Sequence, residues 1–272
     1  MEFQDIIYEK YDGRAKIIIN RVQKLNAFSN LTLQEMIKAL TDAWVDKNVG
    51  VIIITGAGDR AFSVGGDQSI RAKGGYESEE TDSLDFPLDN LPLPNNHALV
   101  LQLIRTIPKP VIASVNGYAI GGGHVLHVVC DMSIAASTAK FGQAGPRVGS
   151  FDAGYGSAYL ARVVGEKKAR EIWYLCEQYS AEDALQMGLV NRVVPPDKLN
   201  EVVEEICASL LEKSPTALAA LKASFNAETE SIWGIHNMAG IALNLYYDTE
   251  EALEGKNAFM EKRKPDFAKY RK

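Results

Sequence analysis

The chain has 272 residues, of which 46% are hydrophobic and 24% charged, and a formal net charge of −6. Such a composition is typical of a globular protein with a large core, and the acidic balance excludes a broad basic surface for nucleic acid. Three widely spaced cysteines indicate reduced thiols, and the N-terminus lacks the apolar stretch of a signal peptide. No apolar run reaches the roughly 18 residues of a transmembrane helix, so we expect a cytoplasmic protein without a membrane partner.

Four short runs rich in β-branched residues predict strands in the first half of the chain, at 15–20, 49–56, 109–117 and 131–136. Each run is nearly continuous in apolar residues, as expected for strands that are buried on both faces of a sheet. Between the first two runs, residues 31–48 carry apolar side chains at helical spacing. The order strand, helix, strand predicts a parallel sheet with right-handed crossovers.

The second half of the chain is predicted to be largely helical. An amphipathic segment occupies 165–178, and Ser180 is expected to cap the next helix, with Asp183 as its capping-box partner and Gly188 at its end. Further helices are predicted at about 197–212, 215–226, 231–248 and 250–263.

Residues 74–97 interrupt this pattern with six acidic residues, three prolines and no Lys or Arg. A solvated surface loop explains such a composition. A lid over a site formed by the preceding glycines is the alternative.

Glycine-rich turns follow the middle strands, at 55–68, 116–124 and 141–156. None has the Walker A pattern or a dinucleotide-binding fingerprint, so nucleotide binding is not favoured. The backbone N–H groups of Gly66 and Gly122, each expected near the start of a helix, can instead converge on one carbonyl oxygen and form an oxyanion hole. Close packing at strand ends is the other explanation for these glycines.

The segment GAGDRAFSVGGD, followed by PVIASVNGYAIGGGHVLHVVCD and then FGQ, resembles the crotonase superfamily of enoyl-CoA hydratases and isomerases. The resemblance runs in order through essentially the whole chain. It implies an α/β fold with a ββα-spiral core over 1–195 and a C-terminal helical region over 196–272 that serves as a trimerisation or lid region. It also implies a homo-oligomer, either a trimer or a dimer of trimers.

The same resemblance implies a small-molecule substrate, an acyl-CoA thioester, and no tightly bound cofactor. The thioester carbonyl is expected between the N–H groups of Gly66 and Gly122. Hydratases of this family add water with two glutamates, but the corresponding positions here hold Val125 and Gly145. Since neither side chain can transfer a proton, hydration by the usual acid–base pair is not expected.

Several short motifs resemble those of a narrower subgroup of this superfamily. They are GGDQ, GGGHVL, FGQ-x-GP, GSFDAGYG and REIWYLC. This subgroup contains 1,4-dihydroxy-2-naphthoyl-CoA synthases and ring-cleaving hydrolases of the 2-oxocyclohexanecarboxyl-CoA type. The synthase closes a ring by a Dieckmann-type condensation, whereas the hydrolase opens a cyclic β-oxoacyl-CoA with water. Both reactions pass through a thioester enolate, so both need the same oxyanion hole.

This subgroup resemblance implies roles for particular residues. Ser150 and Asp152 are expected beside the reacting carbonyl and the Cα proton, and Tyr247 is expected to reach into the site. A larger set is expected to contact CoA or the substrate: Asn26, Ala27, Phe28, Ala61, Ser63, Asp67, Gln68, Arg71, Tyr76, Phe259 and Lys262.

A bound anion is also implied. Gln143, Gly145 and Trp173 match an arrangement that holds bicarbonate, or chloride in its place, where a catalytic carboxylate is missing. In that arrangement Gly145 is expected to leave room for the anion.

Departures from the synthase pattern favour the hydrolase. Ser69 and Ser29 stand where synthases often carry Lys and Arg, and both chain termini look closer to the hydrolases, although Arg71 and the following GGY are synthase-like. The first hypothesis is therefore a ring-cleaving hydrolase, and the second is the naphthoate synthase. A non-catalytic acyl-CoA-binding homologue is the third, against which the joint presence of Ser150, Asp152 and Tyr247 counts.

Structural explanations also exist for several of these residues. Asp152 is of a type common in turns, and Trp173 and Tyr247 are of types common in cores. His124 and His127 lie three residues apart, but no third ligand has suitable spacing, so we interpret them as packing residues and expect no metal.

Overall fold

The computed structural model of the protein describes residues 2–71 and 96–271. Most of the acidic segment 74–97, including Tyr76, lies outside these residues. The described strands, numbered β1 to β10, are Ile6–Tyr11, Arg14–Ile19, Val51–Gly56, Ala61–Ser63, Val111–Val115, Tyr118–Ile120, Met132–Ala136, Lys140–Gly142, Gln178–Ser180 and Arg192–Val194. The described α-helices, numbered α1 to α10, are Asn30–Val45, Asn96–Thr106, Gly122–Val129, Leu160–Val164, Glu166–Leu175, Ala181–Gln186, Leu199–Leu211, Pro215–Ala227, Ser231–Tyr247 and Glu250–Met260.

The four predicted strands form the centre of a large sheet with the order β1-β2-β3-β5-β7-β10. From β2 to β10 all neighbours are parallel, as predicted, and β1 adds an antiparallel edge strand. Along β3, Ile52 and Ile54 enter one hydrophobic cluster while Val51 and Ile53 enter another on the opposite face. This double burial explains the continuous apolar runs.

A second sheet, with the order β4-β6-β8-β9, was not predicted, because each of its strands spans only three residues. Strands β4, β6 and β8 are parallel neighbours. Their carboxyl ends therefore lie at one edge of the sheet, and each is followed by one of the glycine-rich turns. This edge positions the candidate site.

Two helix starts follow local sequence rules. Ser180 and Asp183 form the predicted capping box of α6, in which the Ser180 Oγ accepts a hydrogen bond from the Asp183 N–H at 3.1 Å. Ser29 caps α1 by accepting a hydrogen bond from the Thr32 N–H at 3.0 Å.

The C-terminal helices begin after β10. The first of them, α7, packs against the large sheet, since Leu199, Val203 and Cys207 share a cluster with residues of β3. The division of the chain at residue 195 stays a prediction. Among the described helices, none is both long and apolar enough to cross a membrane.

His124 and His127 lie inside the core on α3, with their rings 5.0 Å apart. The Nδ1 atom of His124 pairs with the Gln143 amide at 3.1 Å, and that of His127 pairs with the Ser133 hydroxyl at 3.1 Å. Within the described ranges, no three His, Cys, Asp or Glu side chains are grouped to hold a metal ion. The structure therefore supports a packing role for this pair.

A fall in pH from 7.5 to 5.5 is expected to lower the free energy of unfolding. Burial lowers the pKa of His124 to about 3 and holds that of His127 well below its usual range, whereas the unfolded chain takes up these protons near pH 6.5. Each histidine therefore costs about 1 kcal/mol over this interval. Urea unfolding at both pH values measures the loss. The variant His124→Asn should lose about 1 kcal/mol less than the wild type, and an equal loss would contradict the assignment.

Candidate active site

The turns that follow β4 and β6 lie directly against each other. A Cβ atom on Gly65 would come within 2.6 Å of the Gly122 nitrogen, and one on Gly123 within 2.0 Å of the Ser63 carbonyl oxygen. Only glycine permits such an approach. Gly122 begins α3, so its N–H is one of those that a helix leaves unpaired.

The two glycines of the predicted oxyanion hole are thus neighbours. Gly66 forms a β-bridge with Phe28 and follows the Gly65 that touches Gly122. In the described part of the chain, neither the Gly66 N–H nor the Gly122 N–H donates a hydrogen bond. Both donors are therefore free to bind a carbonyl oxygen.

The predicted CoA-contacting residues near β4 fix this turn in place. The Phe28 N–H donates to the Gly65 carbonyl at 2.7 Å, and the Asp67 N–H donates to the Phe28 carbonyl at 3.0 Å. The buried Asn26 amide donates to the Ala61 carbonyl at 2.7 Å. These contacts give the residues a structural role, and their contact with CoA stays a prediction.

Ser63 ends β4, Gln68 lies in the turn that follows it, and Ala27 directly precedes Phe28. The Ser63 hydroxyl accepts a hydrogen bond from the Gly65 N–H at 3.2 Å, and the Ala27 carbonyl accepts one from Arg21 at 2.6 Å. The Gln68 amide lies 3.5 Å from the Gly66 carbonyl.

Arg71 is buried rather than open to a ligand. Its guanidinium donates to the carbonyls of Val148 at 2.8 Å, Gly149 at 3.2 Å and Ala252 at 3.0 Å. It also lies 5.0 Å from the centroid of the Tyr247 ring. Arg71 therefore joins the third glycine-rich turn to α10, and its predicted substrate contact stays untested.

Ser150 and Tyr247, both predicted site residues, are in contact. Their hydroxyl oxygens are 2.7 Å apart, and Tyr247 is buried at the end of α9. Burial raises the pKa of Tyr247, against the opposing effects of Ser150 and Arg71. The phenol therefore stays protonated at neutral pH and can donate a hydrogen bond.

Asp152 is held by one of its two carboxylate oxygens. The Oδ1 atom accepts hydrogen bonds from the N–H groups of Gly154 and Gly156, each at 3.0 Å, and lies 3.6 Å from His236 Nδ1. The Oδ2 atom has no hydrogen-bond partner among the described residues, and 16% of the side chain is exposed. Burial alone would raise the pKa of Asp152, but His236 and the Gly156 N–H outweigh it and lower the pKa, so the group is ionised.

Two histidines that the sequence analysis did not select complete this cluster. His97 lies at the start of α2, and its Nε2 atom is 3.5 Å from the position of a Cβ atom on Gly122. His236 lies on α9, where its ring stacks on Trp233 with centroids 6.1 Å apart. Neither histidine belongs to a recognisable motif, because His97 ends an acidic segment and His236 lies in an apolar helix. One signal in the sequence could have identified them. The chain has four histidines, and His97 and His236 are the two that lie outside α3.

The expected anion site stays a prediction. A Cβ atom on Gly145 would come within 2.7 Å of the Ser150 carbonyl oxygen and 2.8 Å of the Trp173 ring, so no side chain fits at this position. The Trp173 indole N–H donates to the Gly156 carbonyl, and the Gln143 amide pairs with His124 in the core. Glycine stands at 145 because the chain packs tightly there.

Phe259 and Lys262 lie in the C-terminal helical region, beside the third glycine-rich turn. Together with Arg147 and other basic residues they line a groove of about 340 Å³, and Phe259 is 51% exposed. Their predicted contact with CoA is untested.

The variant Gly145→Glu, which restores a hydratase acid, is expected to destabilise the protein without hydrating crotonyl-CoA. The new Cβ would overlap the Ser150 carbonyl and Trp173, and such overpacking costs about 1–3 kcal/mol. Thermal unfolding and a hydration assay measure both effects. The control Gly234→Ala has nothing within 4 Å of its new Cβ and should keep wild-type stability or better. A stable, hydrating Gly145→Glu variant would contradict this packing.

Comparison with known proteins shows the family and the fold of the chain. Residues 9–270 match the sequence profile of the enoyl-CoA hydratase/isomerase family. An enoyl-CoA hydratase from Mycobacterium avium subsp. paratuberculosis K-10 is similar, with 26% identity and a TM-score of 0.84 over 98% of this chain and 99% of that one.

Two further solved structures are similar over nearly the whole chain. An enoyl-CoA hydratase from Bacillus anthracis has 31% identity and a TM-score of 0.71, over 97% of this chain and 98% of that one. Methylmalonyl-CoA decarboxylase complexed with 2S-carboxypropyl CoA has 28% identity and a TM-score of 0.81, over 98% of both chains. The predicted α/β crotonase fold is confirmed. The chain therefore belongs to the enoyl-CoA hydratase/isomerase family of the crotonase superfamily and is an acyl-CoA-processing enzyme.

Proposed function

We propose that this enzyme hydrolyses the carbon–carbon bond of a cyclic β-oxoacyl-CoA and so opens its ring. The observation that carries the proposal is the Asp152 carboxylate, which has one fixed oxygen and one unpartnered oxygen. The His97 imidazole, whose protonated form the Asp152 charge favours, adjoins Gly122. An ionised carboxylate and an imidazole beside two free N–H donors suit water attack next to a thioester.

The glycine pair stabilises the charge that develops in this reaction. The thioester oxygen binds the N–H groups of Gly66 and Gly122 and becomes an enolate oxygen when the ring bond breaks. Preorganised donors of this kind are worth about 3–4 kcal/mol each in other enzymes. The N-terminus of α3 adds its positive dipole end.

Asp152 and Tyr247 act at the ring ketone. Asp152 Oδ2 orients a water molecule, whose oxygen bonds to the ketone carbon. The Tyr247 hydroxyl, fixed by Ser150, stabilises the resulting alkoxide. When the alkoxide collapses, the bond from the former ketone carbon to Cα breaks, and the electron pair passes to the thioester enolate. Protonation at Cα then leaves an open-chain acyl-CoA with a new carboxylic acid, which releases its proton to solvent.

Hydration of an enoyl-CoA has no comparable support. Val125 occupies the first hydratase position and is buried in α3. Gly145 occupies the second position, where no side chain fits.

We also propose that the chain forms the homo-oligomer implied by its family. In the monomer, several large apolar side chains on α8 and α9 are more than half exposed, an arrangement that favours burial against another subunit; they are Leu221, Phe225, Met238, Ile241 and Leu245.

Mass spectrometry of two parallel reactions tests the proposed activity. Purified enzyme should add the mass of one water to 2-oxocyclohexanecarboxyl-CoA and leave o-succinylbenzoyl-CoA unchanged. Loss of one water from o-succinylbenzoyl-CoA, without ring opening of the first compound, would show a cyclising synthase instead.

The variant Asp152→Asn is expected to lower kcat for ring opening by roughly 10²–10⁴-fold with little change in KM, because it removes the charge that orients water. Steady-state kinetics measure both constants. Asp197→Asn, a change at an exposed aspartate, is the matched control and should stay within about twofold, as is usual for surface positions. Full activity of Asp152→Asn would exclude Asp152 from the reaction.

A further inference from the structure

The proposed reaction requires a proton carrier that Asp152 does not provide well. One proton must leave the attacking water, and one must reach Cα after the ring bond breaks. Two backbone N–H groups hold the Oδ1 atom of Asp152, which fixes the carboxylate in one orientation. Asp152 therefore suits orientation of the water better than proton transport.

His97 lies where such a carrier is needed. Its Nε2 atom is buried and, among the described residues, has no hydrogen-bond partner. That atom is 3.5 Å from the position of a Cβ atom on Gly122. Since the substrate Cα is bonded to the carbonyl carbon whose oxygen binds Gly122, a side chain beside Gly122 can reach Cα.

The surroundings of His97 allow it both to accept a proton and to release it. Burial lowers the pKa of His97 to about 4, so the imidazole is neutral between turnovers. Asp152 favours the protonated form, His236 on α9 opposes it, and the Gly122 backbone on α3 favours it. The Asp152 charge thus stabilises the imidazolium that forms when His97 takes up a proton.

We infer that His97 is a catalytic residue that carries the proton from water to Cα, an inference that rests on the proposed function. The Nε2 lone pair accepts the water proton as the water oxygen bonds to the ketone carbon. The imidazolium, stabilised by Asp152, then gives that proton to Cα as the enolate returns to a thioester. One proton is taken and one returned, so the step needs no other reactant.

Exchange of the Cα hydrogen in D2O tests this role separately from hydrolysis. Cyclohexanecarboxyl-CoA has the thioester and the Cα hydrogen but no ketone to cleave. The wild type should incorporate one deuterium, which mass spectrometry detects, and His97→Asn should slow this exchange by about 100-fold or more. The same variant should lose kcat for ring opening to a similar extent.

Two measurements keep the test specific. Binding of cyclohexanecarboxyl-CoA to His97→Asn, followed by calorimetry, should stay within about threefold of the wild type and show that the site is folded. Asn96→Ala, one residue away on α2, is the matched control and should exchange at the wild-type rate.

The possible failures are distinguishable. If His97→Asn exchanges and hydrolyses at wild-type rates, the role of His97 is wrong while the proposed function stands. If the wild type does not open the ketone substrate but exchanges Cα hydrogen in a His97-dependent manner, the proposed function is wrong while His97 still moves the Cα proton.

Discussion

The close approach of two glycine turns is the constraint on which the rest of this site depends. Gly65 lies against the Gly122 nitrogen and Gly123 against the Ser63 carbonyl, with no space for a side chain at either position. The parallel pairing of β4 with β6 brings these turns together. Because the approach is made by backbone alone, two N–H donors are held at fixed positions before any substrate binds, which is what electrostatic preorganisation requires.

Close backbone contacts of the same kind hold the C-terminal helices against the candidate site. A Cβ atom on Gly154 would come within 2.4 Å of the His236 Cβ, and one on Gly149 within 2.3 Å of the Ala252 carbonyl oxygen. Arg71 adds hydrogen bonds to both sides of the second contact. The turn that carries Asp152 is thus held from outside by α9 and α10. These contacts explain how a segment so rich in glycine can hold the Asp152 carboxylate in a fixed orientation.

The structural elements that carry a pattern over many residues were predictable from the sequence. The parallel strands were predictable because burial on both faces leaves continuous apolar runs, and the cap at Ser180 has a local pattern. The short strands β4, β6 and β8 have no such pattern, since three residues show no periodicity.

The residues of the candidate site were also only partly predictable from the sequence. The residues within glycine motifs, such as Gly66 and Gly122, were predictable from their turns. His97 and His236 were not, because they approach Asp152 only through the packing of α2 and α9. The contacts that exclude a side chain at Gly145 were not predictable either, because a glycine in the sequence does not tell which atoms lie next to it.

We propose that one site binds the thioester oxygen on two glycine N–H groups and holds the ring ketone near Asp152 and His97. A crystal structure of the Asp152→Asn variant with bound 2-oxocyclohexanecarboxyl-CoA tests it most directly. We expect the thioester oxygen to lie within about 3 Å of both the Gly66 and the Gly122 nitrogen atoms, and Cα to lie beside His97 Nε2. A thioester oxygen bound elsewhere, or a ring directed away from residues 97 and 152, would contradict it.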